Sequence, residues 1–375
     1  MKALVLSPSE SSVSVRNIPK PSPGPREILI KIYDVALNHV DALYAKNPIA
    51  AQDDRVIGSD FSGEVVQLGE GLDVVDDARA KIGTRVAGLL RQSPPGRLCR
   101  ISRRRVRPNV AHPDDIVLRK RGDNQSLRSD GCPKRIRQPP CPFFNTRGFS
   151  GLGLGDDSIV NVFIYGATSS LGLYAAQLVR ASEKTSGRTM RLIGAASASK
   201  HAMLKQGPYA YDVLVDYCNV DWVEQVRRAA RGGVQYAIDA ISKSPSVEQV
   251  EQTLAEDGQF AVFRSPALGG FDVSRMRFKP LIGAVWEGLG TPSLIPVRLI
   301  PGATLPANPH ARRFTAEFYN YMGSAASSGV VKVQPNPVRL MPGGLERIAL
   351  EGFALLTGAG GERPVSAEKI VYTIS

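Results

Sequence analysis

Cysteine, histidine and long apolar runs are all scarce in this chain of 375 residues. Its four cysteines (Cys99, Cys132, Cys141 and Cys218) include no C-x-x-C pair, which excludes a disulfide-built scaffold and gives no sign of a structural zinc lobe. No stretch approaches the roughly 18 consecutive apolar residues of a membrane-spanning helix, and the first residues turn polar before a signal-peptide core could form. We therefore expect a cytoplasmic protein without a membrane segment.

Positive charge is abundant, but it is confined to one segment. The chain carries a formal net charge of +12, and residues 91–147 hold 15 Lys and Arg against 4 Asp and Glu, which leaves about +1 for the rest. A nucleic-acid-binding surface spreads its basic residues over a face of the fold, so nucleic acid is not the expected partner. The hydrophobic fraction of 43% is that of an ordinary globular protein with well-formed cores.

The apolar pattern changes along the chain. Short apolar runs punctuated by glycine and proline fill the first 90 residues and predict an irregular, β-rich domain. From residue 159, apolar strands alternate with helical periodicity, which predicts an α/β domain with a parallel sheet covered on both faces. We expect a first domain over residues 1–155, a nucleotide-binding domain over 156–295, and a carboxyl-terminal part, 296–375, that returns to the first domain.

The sequence YGATSSLG, residues 165–172, lies between a predicted buried strand and a predicted helix. Gly166 would permit the tight turn and Gly172 the close packing of helix on strand. Thr168, Ser169 and Ser170 can offer hydroxyl and backbone N–H groups to a pyrophosphate at the positive end of the helix. Because the spacing differs from the strict G-x-G-x-x-G pattern, a plain turn without a ligand is the alternative.

The end of the second strand indicates which nicotinamide cofactor binds. Enzymes that use NAD usually place an acidic residue there to hold the ribose 2′-hydroxyl. This strand runs instead into Ala196, Ser197, Ala198, Ser199 and Lys200. Hydroxyl groups beside a cation favour a 2′-phosphate, so we expect NADPH. The alternative for Lys200 is a solvated residue in the first turn of the next helix.

The order of these parts, with YGATSSLGLYAAQL, GGVQYAIDAI, AVWEGLG and SAEKIVY, resembles the medium-chain dehydrogenase/reductase superfamily. More narrowly, it is similar to the fungal dehydrogenases and trans-acting enoyl reductases encoded beside polyketide synthases. The resemblance implies a GroES-like irregular β-barrel domain and a Rossmann domain with a doubly wound parallel sheet. It also implies NADPH-dependent enoyl or carbonyl reduction of a polyketide-type intermediate in fungal secondary metabolism. The substrate would be a small molecule or an acyl chain on a carrier, with a polyketide synthase as partner in trans.

Carried over residue by residue, the resemblance assigns roles to positions of this sequence. Thr168, Ser169, Ser170 and Leu171 match the pyrophosphate turn, and Ser197 to Lys200 match the 2′-phosphate site. Tyr217 matches a tyrosine near the adenosine, and Val365 with Ser366 match a late cofactor contact. The stretch that matches the lining of the substrate channel consists of Gly283, Ala284, Val285, Trp286 and Glu287. Tyr217 and Trp286 also have the simpler reading of packing residues.

Two departures from the related enzymes concern the chemistry. Asn38 and Ser59 stand where zinc alcohol dehydrogenases have a metal-binding Cys and His, so no catalytic zinc is expected. Ala42 and Leu43 stand near the position where many enoyl reductases carry a lysine. Hydride transfer from NADPH needs positioning more than acid–base machinery, and the sequence names no proton donor.

Residues 91–147, here called the basic segment, interrupt the resemblance with Arg-, Pro- and Cys-rich sequence that lacks apolar periodicity. The codons of residues 96–102, read one nucleotide later, can spell Ala-Ala-Phe-Ala-Glu-Tyr, which is close to the phrase expected at this place. We hypothesise that about residues 91–147 are translated out of frame. One wall of the substrate pocket would then be replaced by a disordered basic loop.

Two other functions stay open at this point. One is a quinone reductase or a general zinc-less alkene or alcohol oxidoreductase of the same fold. The other is a catalytically impaired cofactor-binding remnant whose basic segment binds nucleic acid or an acidic carrier protein.

Overall fold

The computed structural model of this chain describes residues 1–7, 12–25, 27–46, 55–74, 80–89, 101–102, 159–282, 287–288, 293–294, 304–315, 318, 333–357 and 365–374. Two compact units divide the chain. The first takes in Met1–Ile116, Leu294–Leu305 and Pro335–Ser375, and the second takes in Val117–Ser293 and Pro306–Gln334. The predicted domain boundaries near residues 155 and 295 fall on or beside residues outside the described ones and stay predictions.

The amino-terminal elements are short strands, as the glycine and proline punctuation predicts. They are β1 (Lys2–Ser7), β2 (Ser12–Asn17), β3 (Glu27–Ala36), α1 (His39–Lys46), β4 (Arg55–Val56), β5 (Asp60–Leu68), β6 (Arg85–Leu89) and β7 (Ile101–Ser102). Strand β1 pairs antiparallel with β2 and β4, and β3 pairs antiparallel with β5, which in turn pairs with β6. Of the basic segment, only β7 belongs to the described residues. It pairs antiparallel with the first two residues of β3.

The second unit alternates strands and helices. Its elements are β8 (Val160–Tyr165), α2 (Ser170–Ser186), β9 (Met190–Ala195), α3 (His201–Lys205), β10 (Val213–Val215), α4 (Trp222–Ala229), β11 (Val234–Asp239), α5 (Ser246–Gln252), β12 (Leu254–Val262), α6 (Pro266–Gly269) and β13 (Leu281–Ile282). Short 3-10 helices span Ala198–Lys200 and Val273–Arg275. The predicted strands and helices of this region are thereby confirmed.

The six strands of this unit form one parallel sheet in the order β10-β9-β8-β11-β12-β13. The chain starts in the middle at β8, moves outward to β10, and then crosses back to β11 on the other side of β8. This is the strand order of the doubly wound dinucleotide-binding fold, and it confirms the predicted fold class. In such sheets ligands bind outside the carboxyl ends of the strands, where the order reverses.

The core of the second unit lies between this sheet and its helices. Phe163 of β8 and Val226 of α4 are 0% exposed, and Phe260 of β12 is 1% exposed. Burying one such side chain fully stabilises the fold by about 1.5–3 kcal/mol. The carboxyl ends of the inner strands are therefore held on a rigid support.

The last part of the chain has short elements. They are β14 (Ser293–Leu294), β15 (Thr304–Leu305), a helix α7 at 309–315, β16 (Val338–Met341), α8 (Leu345–Arg347), a π-helical turn (Ile348–Gly352), α9 (Phe353–Thr357) and β17 (Lys369–Thr373). Strand β17 pairs with β16 on one side and with β3 on the other. The chain end thus completes the six-stranded sheet of the first unit, in which five strands follow the order β16-β17-β3-β5-β6 and β7 pairs with β3 outside this order.

Candidate nucleotide-binding site

The turn 166–169 lies at the carboxyl end of β8, where the strand order reverses. Backbone hydrogen bonds tie the neighbouring strand ends to it. The Ala167 N–H donates to the Ala195 carbonyl over 3.0 Å, and the Ala240 N–H donates to the Tyr165 carbonyl over 3.1 Å. The turn is therefore fastened to β9 and β11 as well as to β8, which fixes its position before any ligand arrives.

Both glycines of the turn are required by its geometry. Gly166 has φ +72°, a left-handed conformation, and a Cβ built on it would lie 2.8 Å from Cγ1 of Ile241. A Cβ on Gly172 would lie 2.4 Å from the carbonyl oxygen of Gly166 and 2.9 Å from the backbone of Ala167. The backbone thus forms a cradle with no room for side chains, which fits a pyrophosphate held by main-chain groups.

Helix α2 presents its amino terminus to this turn. Ser169 is its N-cap, with extended backbone (φ −68°, ψ 159°), and its hydroxyl accepts from the Gly172 N–H over 3.0 Å. At the other end Gly187 adopts φ 69° and closes the helix on the Glu183 carbonyl. The remaining N–H groups of a first helical turn have no intrahelical acceptor and carry the positive end of the helix dipole. An anion at Thr168–Leu171 would meet those groups.

The predicted 2′-phosphate residues also come together. Ser197 follows β9 and Tyr217 follows β10, and their hydroxyl oxygens lie 2.9 Å apart. Ser199 is exposed and Lys200 is partly exposed, both in the 3-10 turn that starts one residue after Ser197. No partner for the Lys200 ammonium lies among the residues that the structure describes. A cation and several hydroxyl groups thus share one edge of the sheet.

Sequence reasoning missed an acidic residue at this edge, Asp216. Its Oδ1 accepts from the Cys218 N–H over 2.9 Å. The backbone N–H of Cys218, and to a smaller extent that of Ala198, hold the pKa of Asp216 below its usual value. The sequence signal was present, since the acid directly precedes Tyr217, but it ends the third strand rather than the second.

The loop after β11 forms the other side of the strand reversal. Asp239 is fully buried, and its carboxylate accepts from the N–H groups of Ile241 and Ser242 over 2.9 and 2.8 Å and from the Ser246 hydroxyl over 2.7 Å. Burial raises the pKa of Asp239 above its usual value, while these bonds act in the opposite direction. The carboxylate therefore fixes the loop that places Ile241 against Gly166.

In the first unit, Asn38 and Ser59 belong to a polar cluster. The Asn38 amide donates to the Ser59 hydroxyl over 3.3 Å, and the Ser59 hydroxyl donates to Asp41 over 3.3 Å. The Lys369 ammonium donates to the Asn38 side-chain oxygen and lies 3.0 Å from Asp60, which is 8% exposed. Burial raises the pKa of Asp41 to about 6. The Lys369 ammonium thus contacts Asn38, one of the two positions considered for zinc, and is linked to Ser59, the other one, through the Asn38 amide.

The structure does not test the roles predicted for several other site residues. Gly283, Ala284, Val285 and Trp286 lie outside the described residues, while the Glu287 carboxylate accepts from the Asn308 amide over 3.0 Å. Val365 and Ser366 precede β17 in the first unit, where Val365 packs against a cluster that includes Ile370. The roles predicted for all of these residues stay predictions.

Two features are absent from the residues that the structure describes. No helix among them is long and apolar enough to cross a membrane. No group of three or more His, Cys, Asp or Glu side chains in the described part of the chain is placed to hold a metal ion. Zinc independence stays a prediction from Asn38 and Ser59.

Comparison with known proteins shows which proteins the chain resembles. Residues 24–109 match the alcohol dehydrogenase GroES-like domain, so the match continues into the basic segment. Over 99% of its length the chain is 26% identical to enoyl reductase cheB of Chaetomium globosum, covering 93% of that protein. It is 25% identical to trans-enoyl reductase gkaC of Penicillium citrinum, covering 100% of this chain and 98% of that one.

Solved structures share the fold over the whole chain. The CurK enoyl reductase has a TM-score of 0.62 at 16% identity, with 100% of this chain and 99% of that one covered. A mycobacterial protein complexed with NADPH has a TM-score of 0.61 at 18% identity, with 100% and 99% covered. The resemblance to medium-chain dehydrogenase/reductases, and to fungal trans-acting enoyl reductases among them, is confirmed. The architecture is a GroES-like domain joined to a Rossmann domain.

Proposed function

We propose that this chain is an NADPH-dependent reductase that acts on the carbon–carbon double bond of an enoyl thioester. The observation that carries the proposal is the glycine cradle at the strand reversal of a six-stranded doubly wound sheet, beside the Ser197–Tyr217 hydroxyl pair. The full-length similarity to fungal enoyl reductases supports the same reaction. The substrate class is a polyketide-type intermediate of fungal secondary metabolism, held on an acyl carrier, with a polyketide synthase acting in trans.

Different residues of the second unit would bind different parts of the cofactor. Thr168 to Leu171, at the amino terminus of α2, would hold the pyrophosphate through hydroxyl and backbone N–H groups. Ser197, Ser199 and Lys200 would bind the 2′-phosphate, with Tyr217 beside the adenosine. When bound, NADPH supplies the hydride for the reduction. The preference for NADPH over NADH follows from a charge-assisted contact of Lys200 with the phosphate.

The remaining predicted contacts complete the proposal. Val365 and Ser366, near the end of the sequence, would contact the cofactor, and Gly283 to Glu287 would line the substrate channel. No protein group is assigned as the proton donor to the enolate. Orientation of the reacting atoms alone can account for a large part of the lowering of the reaction barrier. The chain's main contribution is therefore to hold NADPH and the enoyl thioester in the orientation that hydride transfer requires.

The test is the consumption of NADPH with a short enoyl thioester, followed by mass analysis of the product. The expected product is the saturated thioester. A parallel assay with a quinone and with a simple aldehyde examines the other oxidoreductase activities. Turnover of the quinone or the aldehyde without turnover of the thioester would contradict the proposed substrate class, and tight NADPH binding without any turnover would indicate a cofactor-binding remnant.

A further inference from the structure

Four aromatic rings form a continuous ladder from the core of the second unit to the predicted adenosine site. The Phe163 and Trp222 ring centroids are 5.8 Å apart, those of Trp222 and Tyr165 are 5.2 Å apart, and those of Tyr165 and Tyr217 are 6.2 Å apart. Phe163 and Trp222 are 0% and 3% exposed, whereas Tyr217 is 41% exposed. The ladder, Phe163–Trp222–Tyr165–Tyr217, therefore begins on a rigid support and ends at the surface.

The sequence explains why the rings meet. Phe163 and Tyr165 are two residues apart on β8, so their side chains point to the same face of the sheet. Trp222 is the first residue of α4 and packs on that face with Val226. Tyr165 is the last residue of β8, opposite Asp239 of β11, so its ring lies at the carboxyl edge of the sheet. Tyr217, which follows β10, reaches that edge from the other side of β9.

The exposed end of the ladder needs a restraint. An exposed tyrosine can populate several rotamers, and a change of χ1 rotamer would move the Tyr217 hydroxyl away from Ser197. A ring pair at these distances is attractive beyond the area that it buries. The contact with Tyr165 is the ring contact that the structure shows for Tyr217, and it selects the rotamer with the 2.9 Å hydroxyl pair.

We propose that Tyr165 is a positioning residue for recognition of the 2′-phosphate. Its ring holds Tyr217 so that the Tyr217 hydroxyl stays on Ser197. The hydroxyl that accepts in this pair keeps its own proton and is then positioned to donate it to the phosphate. Tyr165 acts through Tyr217 and does not itself touch the phosphate. The inference rests on the proposed NADPH site, and it concerns cofactor selection, not hydride transfer.

The experiment measures binding of 2′,5′-ADP and of 5′-AMP to the full chain by calorimetry, without catalysis. Tyr165→Leu, which removes the ring, is expected to weaken 2′,5′-ADP binding about fivefold, the effect of one lost aromatic contact. It should weaken 5′-AMP binding less than 2′,5′-ADP binding, because 5′-AMP lacks the 2′-phosphate and can lose only the contact of the Tyr217 ring with the adenosine. Tyr165→Phe keeps the ring and is the matched control, with both affinities unchanged.

A second background separates positioning from general damage to the fold. Tyr217→Phe changes an exposed side chain and removes only the hydroxyl that Tyr165 is proposed to position. In that background Tyr165→Leu should have no further effect on the ratio of the two affinities. An equal loss for both ligands, or a loss of the same size in the Tyr217→Phe background, would overturn the inference.

The wild-type protein tests the underlying function separately. If it binds 2′,5′-ADP no more tightly than 5′-AMP, the proposed NADPH site is wrong, and the inference falls with it. If it prefers 2′,5′-ADP and Tyr165→Leu keeps that preference, the NADPH site stands and Tyr165 has no positioning role.

Discussion

Replacement of Gly172 by alanine is the sharpest test of the glycine cradle. The added Cβ would lie 2.4 Å from the Gly166 carbonyl oxygen and 2.9 Å from two backbone atoms of Ala167. All of these atoms belong to the main chain, so no change of rotamer relieves the contact. Helix α2 must move away from the turn, and the Gly172 N–H then moves relative to its acceptor on Ser169.

The expected loss of stability in Gly172→Ala follows from the general cost of such a contact. Overpacking by a single methyl group in a tight site costs about 1–3 kcal/mol. For a domain of this size each kcal/mol corresponds to a melting shift of roughly 2–4 °C, so a loss of several degrees is expected. NADPH binding should weaken at least about tenfold, because the displaced N–H groups of α2 are the proposed pyrophosphate ligands.

Gly187→Ala at the other end of α2 is the matched control. Nothing lies within 4 Å of its added Cβ, and its cost comes from the positive φ of 69° alone. It should destabilise the protein by about 1 kcal/mol and leave NADPH affinity unchanged. Thermal unfolding and fluorescence titration of both variants decide the matter. Unchanged NADPH affinity in Gly172→Ala, or an equal loss in Gly187→Ala, would refute the assignment of the cofactor turn.

Three further predictions concern charge. Lys200→Glu should lower NADPH affinity at least about tenfold while NADH affinity changes little, as measured by titration of both cofactors, because a cation beside the phosphate becomes an anion. Lys369→Met should lower the free energy of unfolding, measured by urea titration, by about 3 kcal/mol, because Asp60 is left buried without its partner. Lys2→Met is the control, since it breaks an ion pair whose side chains are 67% and 52% exposed, and it should cost less than about 1 kcal/mol. The pKa of Asp41 is raised from 3.8 to about 6 in the folded protein, so the folded state binds this proton more tightly than the unfolded state. Its contribution to the free energy of unfolding should therefore fall by about 3 kcal/mol as the pH rises from about 4 to about 6. Urea titrations across that pH range should show this decline in the wild type and lack it in Asp41→Asn.

The strands and helices of the second unit could be predicted from the sequence because the patterns that indicate them are local. The apolar run of β8, the cap at Ser169 and the periodicity of α2 lie within residues 160–186. Gly166 and Gly172 could be assigned for the same reason, since a tight turn and a close helix contact leave their mark on neighbouring positions. The alternating pattern then determines a parallel sheet, and β8 falls at its centre.

The first unit was less readable because its contacts join distant parts of the chain. The ion pair of Lys369 with Asp60 spans 309 positions and exists only because β17 pairs with β3 and β3 with β5. No local pattern announces such a pair. The same holds for the Ser197–Tyr217 hydroxyl pair, which depends on β9 and β10 lying side by side. Ser197 was predicted from its place at the end of the second strand, whereas Tyr217 was indicated by the resemblance alone.

Asp216 shows how the charge at the adenosine end is balanced. An acid that accepts the ribose 2′-hydroxyl stands at the end of the second strand and keeps an oxygen available. Asp216 instead ends the third strand, and its Oδ1 already accepts the Cys218 N–H. Its lowered pKa keeps it ionised, so its charge opposes a 2′-phosphate and offsets part of the attraction of Lys200. The proposed selectivity for NADPH would therefore depend on directed hydrogen bonds of Ser197, Ser199 and Lys200, because the net charge of this edge alone would not provide it.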